Sequence, residues 1–307
     1  MTKVLVATEK PFAAVAVDGI RKVVEEVGFE LALLEKYGSR DELFKAVADA
    51  DALIIRSDKV GEDVFAAAPG LKIVVRAGAG YDNVDLSAAT AHGVVVENTP
   101  GQNSNAVAEL ALGMMVMAAR NSYDGTSGSE LLGKTLGIQA FGQVGRNVAR
   151  IAKGFGMEVS AVDPYCPADV IRGAGVEVCM SVADLYKNNR YVSVNIPATP
   201  ETIGSIGYDL LMSMPKNGVV VNTARKEVID EAGLAKALEE RADLKYFADV
   251  KPDSADELIA RFGNRVFFTP KKMGAQTAEA NINAGIAAAR QIVAFFKDGC
   301  ECFRVNK

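Results

Sequence analysis

Short, almost wholly apolar runs alternate with longer amphipathic stretches along the chain. The runs at 4–7, 31–34, 53–56, 73–76 and 94–97 are rich in aliphatic, mostly β-branched residues, which predicts strands. The stretches between them fit helices. Residues 11–27 carry Pro11 in the first turn and stop at Gly28, and Ser39-x-x-Glu42 is a capping box that opens a second helix. Near-continuous apolar strands separated by helices predict a parallel sheet covered on both faces. Thr99-Pro100-Gly101 interrupts the pattern. A long helix is then predicted over 103–119. Its core, AVAELALGMMVMAA, is apolar nearly all round, so it is expected to be buried on most sides with Met as filler. Residues 121–129 read as a polar, Gly/Ser-rich loop.

A second alternating series starts at Leu136, with strands at 136–140, 159–162, 192–195, 219–221, 246–248 and 266–268. A last helix is predicted over 278–296. Neither internal repeats nor low-complexity segments occur. The expected fold class is α/β, with two Rossmann-like, doubly wound parallel-sheet domains. The 307 residues suit two domains, and 49% apolar residues suit two buried cores.

Composition removes several classes of function. No apolar run approaches the ~18–20 residues of a membrane helix, and the start MTKVLVATEK lacks the features of a signal peptide. A soluble cytoplasmic protein without a membrane partner is expected. A net charge of −5 without a basic stretch argues against nucleic acid, so an anionic substrate must be held by a few local cations. Cys166, Cys179, Cys300 and Cys302 are scattered and there is one histidine, so no metal site is expected and the thiols are read as free.

The chemistry concentrates after two of the predicted strands. Ala140-Phe141-Gly142-Gln143-Val144-Gly145 is a G-x-G-x-x-G fingerprint with Ala in its first position. It follows a strand, opens a helix and meets Asp163, 18 positions after Gly145, at the end of the next strand. Gly142 lets backbone approach a pyrophosphate, and the helix N-terminus supplies N–H donors and the positive end of its dipole. Asp163 would accept hydrogen bonds from ribose hydroxyls and repel a 2′-phosphate, so the implied cofactor is NAD. Further along, Asn222-Thr223-Ala224-Arg225 follows the strand at 219–221, at the end where this fold binds ligands. Arg225 can grip a carboxylate through two parallel N–H bonds and polarise the neighbouring carbonyl.

VNTARKEVIDEAGLAKAL, RAGAGYDNVDLSAA, LGIQAFGQVGRNVARIAKGFGMEVSAVDPY and TPKKMGAQTAEA together resemble the D-2-hydroxyacid dehydrogenase family, in the right order over essentially the whole chain. Ile55-Arg56-Ser57 and RAGAGYDNVD look like its D-3-phosphoglycerate dehydrogenase branch. The resemblance implies a substrate-binding domain of 1–98 plus 278–307, an NAD-binding domain of 99–277 and an active site in the cleft between them. It also implies a homodimer, with the long helix near 103–119 and the following loop in the contact. Backbone N–H groups at Gly78, Ala79 and Gly80 would bind the substrate carboxylate, Arg56 and Ser57 would face its phosphate end, and Asn103 would line the same cleft. Thr223 and Ala224 would approach the nicotinamide and Asp249 its carboxamide, while Pro197 and Thr202 would lie over the adenosine side. Glu109 also matches but looks structural. The regulatory domain of longer members is expected to be absent.

The chain departs from the family at the proton donor. Most members use a His–Glu pair, but the single histidine here, His92, sits where a helix ends before Gly93 and reads as a surface or capping residue. The segment that should carry the catalytic histidine is Thr269-Pro270-Lys271-Lys272-Met273-Gly274, one residue longer than usual. Counting back from Gly274 puts Lys272 in that position, and counting forward from Pro270 puts Lys271 there. Lys272 is preferred, because Met273-Gly274-Ala275 continues the match. The glutamate position holds Ser254, and nearby Asp253, Asp256 and Glu257 do not match it. A lysine needs no carboxylate to set a tautomer, so losing both partners together is coherent. Burial under the nicotinamide and repulsion from Arg225 would lower its pKa from about 10.4.

These readings favour NAD-dependent oxidation of 3-phosphoglycerate to 3-phosphohydroxypyruvate, the first step of serine synthesis, with Arg225 and Lys272 catalytic. One alternative is a glyoxylate or hydroxypyruvate reductase of the same family. Another is an NAD-sensing interaction protein that has lost catalysis.

Overall fold

Side chains on alternate positions of the first strand enter different cores: Val4 and Val6 pack on one face of a sheet, Leu5 and Ala7 on the other. That two-sided burial repeats through the chain and makes the sheets parallel and covered. The computed structural model describes residues 1–306. Within them the chain forms two units, Met1–Asn103 together with the chain from Thr277 onward, and Ser104–Gln276.

The first unit runs β1 (Lys3–Thr8), α1 (Ala14–Glu25), β2 (Glu30–Glu35), α2 (Arg40–Val47), β3 (Ala52–Ile55), α3 (Glu62–Ala67), β4 (Ile73–Arg76), α4 (Leu86–Ala91) and β5 (Val95–Asn98). Its sheet is parallel in the order β2-β1-β3-β4-β5. The expected helix at 11–27 is shorter than predicted. It starts at Ala14, and Pro11 lies outside it because the Pro11 carbonyl accepts from the Arg56 guanidinium at 3.0 Å. The expected cap of α2 forms at Ser39, whose Oγ accepts from Glu42 N–H, but the Glu42 carboxylate accepts from the Ser39 hydroxyl at 3.1 Å and from Gly38 N–H at 3.4 Å in place of the Ser39 N–H of a capping box. His92 is the C-cap residue of α4, bonded to Glu62 at 2.8 Å and stacked on Phe65.

The second unit runs α5 (Ser104–Ala119), β6 (Thr135–Gln139), α6 (Gln143–Gly154), β7 (Glu158–Val162), α7 (Ala168–Gly173), β8 (Glu177–Val178), α8 (Val182–Asn188), β9 (Tyr191–Val194), α9 (Tyr208–Ser213), β10 (Val219–Asn222), α10 (Glu231–Glu240), β11 (Lys245–Ala248), α11 (Ala255–Phe262) and β12 (Val266–Phe268). Its seven strands are parallel in the order β12-β11-β10-β9-β6-β7-β8. One face packs on α5 and α6 through Leu136, Ile138, Val221 and Phe247, the other on α8 to α11 through Val192, Val194, Val220 and Tyr246. Each such aliphatic side chain contributes roughly 1.5–3 kcal/mol on burial. The two-residue strand β8 was too short to show in the sequence.

The chain then re-enters the first unit as α12 (Ala278–Asp298), which packs along α1. The tail after it pairs with β5: Val305 N–H donates to Val96 O at 2.8 Å, and the buried Asn306 side chain bonds Val96 N–H and Val94 O, each at 2.8 Å. One cysteine expectation is corrected here. Cys166 and Cys179 are free, but Cys300 and Cys302 are paired as a disulfide, because the turn leaving α12 brings their Cα atoms to 5.6 Å. Among the described residues no helix is long and apolar enough to cross a membrane, and no cluster of metal-ligating side chains occurs.

Candidate active site

In the second unit β6 pairs with β7 on one side and β9 on the other, so the strand order reverses between β6 and β9. In a doubly wound sheet a crevice opens at the carboxyl ends of such a pair, and ligands bind there. The fingerprint occupies that place. Ala140 turns the chain with φ +74°, Phe141 is buried, and Gly142 is the N-cap residue of α6 without a side-chain cap. The first-turn N–H groups of α6, including those of Gln143 and Val144, therefore have no side chain closing over them. A Cβ on Gly142 would meet nothing within 4 Å, so the turn is open on the ligand side. A Cβ on Gly145 would lie 2.3 Å from Ala140 O, so the helix packs directly against the turn.

Asp163, just past β7, ties this turn down. Its carboxylate accepts from Phe141 N–H and Tyr165 N–H, each at 2.8 Å. Each oxygen keeps a second acceptor direction for a hydroxyl. Across the crevice, the loop after β9 is pinned by Thr202, whose hydroxyl donates to Pro197 O at 2.6 Å and accepts from Thr199 N–H at 2.7 Å. An open cradle of helix N–H groups beside an acceptor carboxylate fits the pyrophosphate and ribose of a dinucleotide.

Two strands further along, Asn222 shapes the next loop. Its amide oxygen accepts from Ala224 N–H at 2.9 Å, and its amide nitrogen donates to Arg225 O at 2.9 Å and to the Tyr246 hydroxyl at 3.1 Å. Thr223 is buried, its hydroxyl without a hydrogen-bond partner among the described residues, and Arg225 is exposed, with Nη1 on Ala224 O at 3.0 Å. Asp249, after β11, is fully buried. It accepts from the Thr269 hydroxyl at 3.0 Å, Met273 N–H at 2.7 Å and Gly274 N–H at 2.8 Å. The turn that carries Lys271 and Lys272 is thus anchored from below, and both lysines are exposed. Ser254 donates its hydroxyl to Glu231 at 2.5 Å. The three nearby carboxylates are used in surface pairs: Asp253 with Lys226, Asp256 with Lys251, Glu257 with Arg261.

The first unit has its own reversal, between β1 and β3, and cations gather at the carboxyl ends of β3 and β4. Arg56 follows β3 instead of ending it. Its Nη1 donates to Lys10 O at 2.9 Å and Pro11 O at 3.0 Å, its Nη2 to Asn281 at 2.8 Å, and Phe12 lies under the guanidinium. Asp58, buried, accepts from Glu9 N–H at 2.7 Å and the Tyr37 hydroxyl at 2.9 Å, which sews the loops after β1 and β3 together. Ser57 is exposed.

Arg76 is the functional candidate that sequence reasoning passed over. Its side chain lies across Gly78, where a Cβ would fall 1.5 Å from Nη1, and its Nε is buried without a partner among the described residues. Burial holds its pKa below the ordinary guanidinium value; Asp82 partly offsets this, and the neighbouring Arg56 charge adds to it. Ala79 and Gly80, beside it, present N–H groups for which no acceptor occurs among the described residues. The signal was available: Arg76 ends a strand inside the same motif that supplied Gly78. Asn103 is the last residue of this segment before α5.

The model of the D-isomer specific 2-hydroxyacid dehydrogenase catalytic domain matches residues 8–306. The chain belongs to that family. Among its relatives, D-3-phosphoglycerate dehydrogenase of Methanocaldococcus jannaschii is 39% identical over 289 residues, covering 88% of this chain and 54% of that protein. D-3-phosphoglycerate dehydrogenase of Mycobacterium tuberculosis is 39% identical over 271 residues, covering 82% of this chain and 50% of the relative. The chain therefore spans about half the length of these curated relatives. A solved structure covers the same extent: NAD+-bound 3-phosphoglycerate dehydrogenase of Entamoeba histolytica superposes with a TM-score of 0.82 at 45% identity, over 100% of this chain and 99% of that one. Both sheets and their flanking helices agree with this two-domain, Rossmann-like family architecture.

Proposed function

We propose that this chain uses NAD to oxidise 3-phosphoglycerate to 3-phosphohydroxypyruvate, and so opens serine synthesis as a cytoplasmic homodimer. The observation that carries the choice of substrate is the Arg56–Arg76 cluster beside the Ala79 and Gly80 amides. Two neighbouring guanidinium groups, one with an orphaned N–H, suit an anion of more than one charge. The cofactor is supported by the open turn at Gly142 and by the NAD+ in the Entamoeba histolytica relative.

In this reading the α6 N-terminus and Asp163 hold the dinucleotide, with Thr223, Ala224 and Asp249 serving its nicotinamide end. The nicotinamide, when bound, supplies the hydride acceptor. Arg225 grips the substrate carboxylate; the Gly78–Gly80 amides and Asn103 serve as substrate-binding groups of the first unit. Lys272 Nζ takes the proton from the C2 hydroxyl as the carbonyl forms, and returns it in the reverse direction. A dehydrated site and the Arg225 charge are what would bring an ammonium into range for that work.

Two measurements test this. NADH oxidation is assayed against phosphohydroxypyruvate, glyoxylate and hydroxypyruvate. Turnover is expected with the phosphorylated substrate at much the lowest KM; preference for glyoxylate, or turnover of none of the three, overturns the proposal. For the acid/base, kcat of Lys272→Ala is expected to fall about 10²–10⁴-fold while Lys271→Ala stays near parent. A near-normal kcat in Lys272→Ala rules that lysine out.

A further inference from the structure

Within the first unit, Arg56 is fixed at both ends. At the backbone its N–H donates to Asp58 at 3.2 Å and its carbonyl accepts from the Asn83 amide at 3.2 Å. At the head, Nη1 makes two bonds, to Lys10 O at 2.9 Å and Pro11 O at 3.0 Å, and Nη2 makes one, to Asn281 Oδ1 at 2.8 Å. A guanidinium has five N–H groups. The remaining two, on Nε and Nη2, have no acceptor among the described residues. These atoms share one edge of the plane, and such an edge holds an oxyanion through two parallel bonds. Burial lowers the Arg56 pKa and the Asp58 charge opposes this, but the Asp58 carboxylate bonds backbone N–H groups and the Tyr37 hydroxyl, not the guanidinium.

The start of α12 is shaped around this head group. Asn281 lies in its first turns, and asparagine is a weaker helix former than the alanines around it, so helix propensity does not explain its place. Its amide nitrogen donates to Thr277 O at 2.9 Å, which fixes the amide plane with Oδ1 on Arg56. Gly285 is four residues further on, so it shares the same face of the helix. A Cβ there would lie 3.0 Å from Phe12 Cε1, and its absence makes room for the ring. Phe12 is buried, and the Arg56 guanidinium rests 5.1 Å from its centroid. One face of α12 thus bonds the head group and seats the ring beneath it.

We propose that Asn281 is a positioning residue, which holds the Arg56 fork over Phe12 so that its open edge receives the substrate's phosphate. It thereby sets the preference for a phosphorylated over an unphosphorylated hydroxyacid. The assignment rests on the reading of Arg56 as a phosphate ligand. Arginine is rich in rotamers, and ordering it during folding removes that loss from the binding step. Asn281 acts through Arg56, so its effect should exist only when the guanidinium is present and only for the substrate that carries the phosphate.

The test compares NADH-dependent reduction of phosphohydroxypyruvate and of hydroxypyruvate by the full chain, by Asn281→Ala, by Arg56→Gln and by the double variant. Asn281→Ala is expected to raise KM for phosphohydroxypyruvate about tenfold, with its kcat and the KM for hydroxypyruvate each within about twofold of parent. In the Arg56→Gln background the same substitution should add less than about twofold. Phe12→Leu removes the ring face and keeps an apolar side chain. It should raise the same KM several-fold, which preserves a decisive variant if Asn281→Ala does not fold. The proposal is overturned if KM rises equally for both substrates, if Asn281→Ala costs as much without Arg56 as with it, or if neither Asn281→Ala nor Phe12→Leu raises KM for phosphohydroxypyruvate. An unchanged KM in Arg56→Gln instead removes Arg56 as a phosphate ligand, and the proposal falls with that reading.

Discussion

At the scale of single residues, Ala140 shows what a departure from a motif means physically. A left-handed backbone costs an L-residue about 1–2 kcal/mol, and Ala140 sits there at φ +74° where most fingerprints have glycine. Ala140→Gly removes that strain and loses roughly 0.4–1 kcal/mol to the freer unfolded chain. It should therefore raise stability by up to about 1 kcal/mol in urea denaturation, with NAD affinity changed only modestly. Gly145→Ala has the opposite expectation. Its methyl must displace the Ala140 carbonyl, so it should cost about 1–3 kcal/mol and weaken NAD binding as the turn shifts. Glu97 gives a pH-dependent case. It is almost fully buried under the C-terminal tail, and burial raises its pKa, with Phe303 N–H opposing and Glu301 adding to the rise. Above the ordinary glutamate range the folded chain therefore holds a proton that the unfolded chain has lost, so stability falls as pH rises through that window. Glu97→Gln keeps an acceptor for Phe303 N–H and removes the charge. It should be more stable than parent at pH 7 and match it near pH 4.

At the scale of elements, the turn over 270–274 is held by a single side chain. Asp249 accepts from one hydroxyl and two backbone N–H groups, and all its partners belong to that turn or the end of β12. Asp249→Asn would set an amide NH₂ against one of those donors and leave it unsatisfied in the interior, at about 1–3 kcal/mol. On the proposed mechanism kcat should fall with it, since the same turn carries Lys272. Unchanged stability would show that the turn is held some other way. The sequence pointed to Asp249 as a cofactor contact; its grip on the lysine turn depends on residues about twenty positions away in the chain, which no local pattern reveals. Helix α1 teaches the converse. Pro11 suits a first helical turn, yet the carbonyls of Lys10 and Pro11 are taken by Arg56 from the loop after β3, and the helix begins at Ala14.

At the scale of the whole molecule, α5 carries the proposed dimer contact. Leu110, Val116 and Met117 are only partly buried in its own core, and Gly113 is exposed with nothing near its Cβ position. Light scattering should give twice the 32.5 kDa chain mass. Gly113→Glu should shift that toward monomer without unfolding the helix, since Glu is the better helix former; a dimer that survives it does not use this face. Much of the architecture was legible from hydrophobic order alone. Short β-branched apolar runs alternating with amphipathic stretches fit parallel strands under helices, and the Gly142–Gly145 fingerprint before Asp163 needs only short-range spacing to be recognised. What lay beyond the sequence is what strand order and side-chain reach decide. Asp249 under the lysine turn and Arg56 on the Lys10 and Pro11 carbonyls join residues whose proximity comes from the folded chain, because charge, burial and hydrogen-bond partners are properties of neighbours in space.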